Sequence, residues 1–296
     1  MYERKAVTLK NKESIAYLEQ GSGDNYLILI HGNTSSSVFF SPLLARLPDD
    51  IHVIAPDLRG FGDSSYINRF DSLLELAEDL NELLNSLWIK RATILGWSLG
   101  GGVAMELAAT FPDLVEKLIL VNSTIHSGYP IYKKDATGQP IIPSFYANKE
   151  EMSLDPVQVL PLVITLKNHD FNMMNIIYDN VIYTLKKPNA EDNELWINEA
   201  LKQRCIVDAD WALARLNMSN TVNSYMVKGN NKIRNIVAPT LHTFCEKDFT
   251  TPKFMVEANA NAIKNSTIVV YPNSGHSPFV DVPDQLTKDI LSFLNS

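Results

Sequence analysis

The stretch Ile94-Leu95-Gly96-Trp97-Ser98-Leu99-Gly100-Gly101, "ILGWSLGG", decides how this chain is read. A serine lies between glycines at minus two and plus two, with the apolar run "ATIL" before it and the helix-like "GGVAMELAA" after it. A strand that reverses this abruptly into a helix strains the backbone of its central residue, and side chains at minus two and plus two collide with the neighbouring strand and helix. Glycine at both positions removes those collisions. Such a turn lifts the Ser98 hydroxyl above the carboxyl end of a sheet, where open α/β folds bind ligands, and aims the first amides of the next helix at the same place. The spacing also fits a tight βα turn with no chemistry, so the surrounding sequence has to separate the two.

Short β-like runs alternate with helical ones on both sides of the turn: "YLILIH", "HVIAPD", the helical "SLLELAEDLNELLNSL", then "ATILGW", "GGVAMELAATF" and "KLILVNS". That alternation predicts a mostly parallel α/β sheet with helices on both faces. Runs such as "YLILI" and "KLILV" show no polar alternation, as strands covered on both faces require. Ser72 with Glu75 forms a capping box, and Leu76, Leu80, Leu83, Leu84 and Leu87 recur at helical spacing behind it. Between 124 and 235 the character changes to a Pro- and Gly-rich start followed by helical patterns with no β run between them, which predicts an all-helical insertion. Strand patterns return with "APTLHTFCEKD" and "STIVVYP". The expected organisation is a core of residues 1–123 and 236–296 carrying a helical cap of residues 124–235.

At 296 residues, with 45% hydrophobic and 20% charged side chains, the chain has the make-up of an ordinary globular protein. A chain of this length buries roughly three quarters of its unfolded surface, enough for a sizeable core. A net charge of -8 disfavours nucleic acid, which needs clustered Lys and Arg to displace counterions. Cys205 and Cys245 are far apart and in no metal-ligand spacing, the N-terminal stretch lacks the apolar core of a signal peptide, and the longest apolar runs are strand-length. The expectation is a cytoplasmic protein that does not span the membrane.

Four signatures in order, "LILIHGNTSSS", "APDLRGFGDSS", "GWSLGG", and "EKDFTTP" with "NSGHSPFVDVP", resemble the α/β-hydrolase superfamily, in its form with a helical cap inserted in the core domain. A serine hydroxyl is a poor nucleophile at neutral pH and needs a base, usually histidine, oriented by a carboxylate. The resemblance implies His276, on a glycine-flanked loop after the last β run, as that base, and the chain order Ser, acid, His is satisfied. For the acid, "FCEKDFTTP" offers Glu246 and Asp248; family members commonly carry Gly-x-x-Asp here with a proline following, which favours Asp248 although Cys245 replaces the glycine. The oxyanion donors implied are the amides of Leu99, at the helix start, and Asn33, after His31-Gly32. "HGN" is also similar to haloalkane dehalogenases, but those use an aspartate nucleophile followed by tryptophan, where this chain has Ser98 and Leu99. Asp57 and Arg59 are expected to pin their loop rather than touch substrate.

An insertion rich in aromatics and Met usually makes an apolar pocket, with Trp97, Phe171 and Met174 as candidate lining; core packing explains these side chains equally well. The expected activity is hydrolysis of a small to medium, fairly apolar ester, thioester or lactone through an acyl-enzyme, with no metal and no cofactor. A carbon-carbon bond hydrolase, which would call for an arginine in the site such as Arg204 or Arg215, and a cofactor-free haloperoxidase or perhydrolase share the same motifs. So does a slow-turnover, receptor-like member that binds its ligand.

Overall fold

Along β3 (Asn25–Ile30), Leu27 and Leu29 enter one apolar cluster and Ile28 and Ile30 another, because successive side chains of a strand point to opposite faces. The same division holds in β5 (Ala92–Trp97), with Ile94 on one face and Leu95 and Trp97 on the other, and in β6 (Val115–Val121), with Leu118 and Leu120 opposed to Ile119 and Val121. Each fully buried Leu or Ile is worth about 2 kcal/mol of transfer free energy, so a strand with two such faces is stable only between two layers of helices.

The computed structural model describes residues 3–296. Its sheet has eight strands, the three above with β1 (Glu3–Thr8), β2 (Ser14–Gln20), β4 (Ile51–Pro56), β9 (Thr240–Cys245) and β10 (Ser266–Tyr271), in the order β1-β2-β4-β3-β5-β6-β9-β10. β1 and β2 pair antiparallel at one edge, β2 meets β4 antiparallel, and every other pairing is parallel. From β3 the chain moves outward to β4 and then crosses back to lay β5 on the other side of β3. The strand order therefore reverses at β3 and β5, and a crevice opens at their carboxyl ends.

Helices α2 (Leu73–Ser86) and α3 (Leu99–Thr110) cover one face. The capping box of α2 forms as read: the Ser72 hydroxyl accepts from the Glu75 amide while the Glu75 carboxylate accepts from the Ser72 amide. The other face packs against α1 (Ser41–Leu44) and α11 (Pro283–Leu294), with the short α10 (Pro278–Asp281) between the last strand and α11; α9 (Lys253–Ala262) joins β9 to β10.

The chain between β6 and β9 holds α4 (Lys149–Met152), α5 (Leu160–Asn168), α6 (Phe171–Val181), α7 (Ala190–Ala200) and α8 (Ile206–Arg215). It is not all-helical. An antiparallel hairpin, β7 (Tyr132–Lys134) with β8 (Pro140–Phe145), precedes α4. Its turn is built by the Asp135 carboxylate, which accepts from the Thr137 and Gln139 amides, and by Gly138 at φ +83°. The strands are three and six residues long, and β8 begins on Pro140, so no periodicity marked them. α6 and α7 share the apolar cluster of the α11 face, and α8 shares that of α2 and α3, so the inserted segment is packed onto the core. No helix among the described residues is long and apolar enough to cross a membrane.

Candidate active site

Ser98 sits between β5 and α3 with φ +55° and ψ −119°. Its conformation is pinned by three main-chain bonds: its amide donates to the Val121 carbonyl, and its carbonyl accepts from the Gly101 and Thr124 amides. A Cβ on Gly100 would lie 2.2 Å from the Ile30 carbonyl oxygen, and one on Gly96 would lie 2.3 Å from the Gly100 carbonyl oxygen. Both contacts are with backbone, which cannot swing away, so only glycine fits at either position. The serine caps α3 without using its hydroxyl, which leaves Oγ free.

The His276 loop closes over this turn. Trp97 Nε1 donates to the His276 carbonyl at 2.9 Å, Asn122 Nδ2 donates to the Gly275 carbonyl at 3.0 Å, and the Trp97 and His276 rings lie 5.7 Å apart. His276 Nδ1 meets Asp248 Oδ2 at 2.8 Å with both side chains buried. Glu246, the rival acid, is solvent-exposed. Asp248 also accepts from the Thr250 amide at 2.7 Å, the Thr251 amide at 3.0 Å and the Thr251 hydroxyl. Burial pushes its carboxyl up, but the facing His276 and the Thr251 donors outweigh this and hold it below the usual carboxylate range. It is an ionised, fixed partner for an imidazole.

Two main-chain amides in the segments beside Ser98 are without an acceptor among the described residues. Leu99 is the first residue of α3, and its amide, like that of Asn33, has no acceptor among the described residues. Gly32 brings the Asn33 loop against the serine, since a Cβ there would lie 3.1 Å from Ser98 Cβ. The Asn33 side chain is engaged elsewhere: Nδ2 donates to Asp210 Oδ1 at 2.9 Å, while Oδ1 accepts from the Thr34 amide and from Gln203 Nε2. Its main-chain amide and the second Nδ2 hydrogen have no acceptor among the described residues.

Asp57 and Arg59 fasten their loop. Asp57 accepts from the Ser37 and Asp63 amides, and Arg59 makes two 2.7 Å bonds to Asp79. Four of the remaining histidines have other partners, His31 accepting from the Leu58 amide, His52 pairing with Glu19, His126 with Asn259 and His242 with Ser266, and the fifth, His169, is exposed at the end of α5. Arg204 donates to the carbonyls of Gly62 and Ser64, and Arg215 lies over the Trp211 ring.

The candidate pocket residues divide. Trp97 is buried between Phe39 and Phe279, and Met174 is fully enclosed in the same apolar cluster, so both pack in the core. Phe171 is partly buried against that cluster. A cavity of about 650 Å³ opens where α5 faces the start of α8; Leu166, Gln203 and Val207 are among its walls. Gln203 connects it to the site through Asn33. Two residues in this network were not singled out from the sequence, Gln203 and Asp210. The signal for Asp210 was a carboxylate inside the otherwise apolar "ADWALA", 209–214.

Residues 27–289 match the family model described as "Alpha/beta hydrolase family". An uncharacterised protein of Mycobacterium tuberculosis is 29% identical over 295 residues, covering 95% of this chain and 78% of that one. A pimeloyl-[acyl-carrier protein] methyl ester esterase of Pectobacterium carotovorum is 25% identical over 278 residues, 93% of this chain and 96% of its own. An esterase from Exiguobacterium antarcticum superposes with a TM-score of 0.76 over 99% of this chain and 100% of its own, at 21% identity. The chain belongs to the alpha/beta hydrolase family.

Proposed function

We propose that this chain is a serine hydrolase that cleaves a small to medium carboxylic ester, thioester or lactone, with Ser98, His276 and Asp248 as its triad and residues 124–235 as the cap over the acyl pocket. The observation that carries the reading is the buried 2.8 Å contact of His276 Nδ1 with Asp248 Oδ2, on a loop bonded to the residue before a serine held at positive φ. Similarity to proteins named as esterases supports the same chemistry.

In the first half-reaction Ser98 Oγ attacks the acyl carbon while His276 Nε2 takes the hydroxyl proton, and Asp248 holds the imidazole by Nδ1 and stabilises its positive form. The carbonyl oxygen gains its negative charge between the amides of Leu99 and Asn33, at the positive end of α3. Collapse breaks the bond to the leaving oxygen or sulfur, which departs with the proton from His276 and leaves an acyl-serine. Water, deprotonated by His276, then attacks the acyl carbon, and the carboxylic acid is released with Ser98 restored. The steps balance without metal or cofactor, and the substrate is a small acyl compound rather than nucleic acid.

Labelling by a fluorophosphonate probe, followed on the native chain and on Ser98→Ala, together with turnover of short p-nitrophenyl esters and a lactone panel, tests this. Labelling confined to Ser98, with turnover lost in the variant, is the expected result; absence of labelling in the native chain removes the triad assignment. Labelling with no turnover on any ester or lactone would move the reading to a receptor-like member.

A further inference from the structure

We infer that Asp210, on α8, is a specificity-determining residue that anchors a hydrogen-bond-donating group, an ammonium or a hydroxyl, at the far end of the acyl chain bound at Ser98. This rests on the serine hydrolase reading above and names the kind of acyl chain it takes.

Asp210 stands apart from every other buried carboxylate. Asp79 pairs with Arg59, Asp155 with Lys134, Asp208 with Arg69 and Lys149, Glu106 with Lys232 and Glu199 with Lys202. Asp248 faces His276, while Glu13, Asp57 and Asp281 each accept from two or more amides. Asp210 is 7% exposed and has no cation and one donor, Asn33 Nδ2 at 2.9 Å on Oδ1. Its Oδ2 has no partner among the described residues yet is not sealed in, so it opens onto accessible space. A carboxylate so placed costs free energy until a donor or a cation reaches it.

Structural need does not explain the charge. An asparagine or glutamine oxygen would serve Asn33 Nδ2 as well as Asp210 Oδ1 does, without burying an ionisable group. Burial pushes this carboxyl up to about 7 against the pull of Asn33, with Asp155 pushing it further. No cation among the described residues holds it down; an incoming ammonium would.

The position fits a substrate anchor. Asn33 offers its main-chain amide to the oxyanion and its side chain to Asp210. Bond lengths along that one residue, with a hydrogen bond at each end, put the carboxyl within roughly 10 Å of the reacting carbonyl, the length of a six-carbon chain with its end group. Tyr129, whose phenol is pushed up to about 12 by burial and by Asp248 and Asp210, lies close enough to feel both carboxyls. Asn33 alone bonds Asp210, with Gln203 holding the other side of that amide, while Asp155, Tyr129 and Tyr225, in the inserted segment like Gln203, lie near enough for their charges to couple with it. A buried polar group that needs a substrate donor discriminates strongly against an analogue lacking it, because the group is then left unpaired.

Three ethyl fluorophosphonates with six-carbon chains ending in methyl, hydroxyl or ammonium test this without requiring turnover. In each, Ser98 Oγ forms a P–O bond, fluoride leaves and His276 takes the hydroxyl proton. The second-order rate of Ser98 labelling is followed by mass spectrometry at about pH 8, where the carboxyl is ionised. The native chain is expected to react at least ~10-fold faster with the ammonium and hydroxyl probes than with the methyl probe. Asp210→Asn, which keeps an acceptor for Asn33, should lose that ammonium preference and part of the hydroxyl preference; Asp210→Leu should lose both. Should Asp210→Leu fail to fold, Asp210→Asn decides alone. The same order of probe rates in native and Asp210→Asn proteins, or a native preference for the methyl chain, would falsify the inference. Failure of all three probes to label native Ser98 overturns the serine hydrolase reading instead.

Discussion

The indole Nε1 of Trp97 donates a 2.9 Å hydrogen bond to the main-chain carbonyl of His276. The residue immediately before Ser98 therefore holds the loop that carries His276, so that one side chain ties together the two groups proposed as nucleophile and base. Trp97→Phe keeps a ring between Phe39 and Phe279 but removes the N–H. It should lower kcat roughly 10-fold with KM changed less than about 2-fold, because the imidazole loses placement while binding surfaces stay. Steady-state kinetics on a p-nitrophenyl ester, with a thermal unfolding curve to confirm the fold, checks this; an unchanged kcat would show that Trp97 only fills the core.

The two acids of the loop after β9 should separate sharply. Asp248→Asn keeps shape but removes the charge that fixes the His276 tautomer, and a loss of roughly 10³–10⁴-fold in kcat is expected. Glu246→Gln alters an exposed side chain and should change kcat less than about 2-fold. A greater loss in the Glu246 variant would reverse the assignment.

Backbone strain at Ser98 should be measurable as stability. Ser98 occupies φ +55° with a Cβ, a region glycine enters freely. Ser98→Gly should therefore unfold at higher urea than Ser98→Ala, by about 1 kcal/mol, both variants being inactive. Equal midpoints for the two would mean that the turn is relaxed.

Stability should also carry the mark of Asp210. Its carboxyl is raised from 3.8 to about 7, so the folded chain binds this proton more tightly than the unfolded chain. That contribution is whole below pH 3.8, declines as pH rises to about 7 and is flat above. Asp248 runs the other way, since its lowered value stabilises the fold above the ordinary carboxylate range and is lost on acidification. Comparing native and Asp210→Asn proteins cancels Asp248: the stability of the native chain relative to the variant should drop by the order of 2 kcal/mol between about pH 5 and pH 8. Parallel urea midpoints across that range would place the Asp210 carboxyl in its ordinary range.

What could be read without coordinates was whatever local spacing encodes. The glycines around Ser98, the capping box at Ser72 and Glu75, and the doubly buried runs of β3 and β6 are each dictated within a few residues by sterics or by period. The hairpin of β7 and β8 escaped because its strands are short and begin on a proline-rich stretch, where pairing across the turn outweighs propensity.

Order along the chain was sufficient to nominate Ser98, Asp248 and His276, but their neighbours belong to the packing. Whether Trp97 and Met174 wall a pocket or fill the core depends on how α6 and α7 settle over Phe39 and Trp97. The pairing of Asn33 with Asp210 spans 177 positions and exists because α8 lies over the loop after β3. Such contacts have no local signature: a hydrogen bond between distant residues is set by the close packing of whole elements, and spacing in sequence carries no record of which faces will meet.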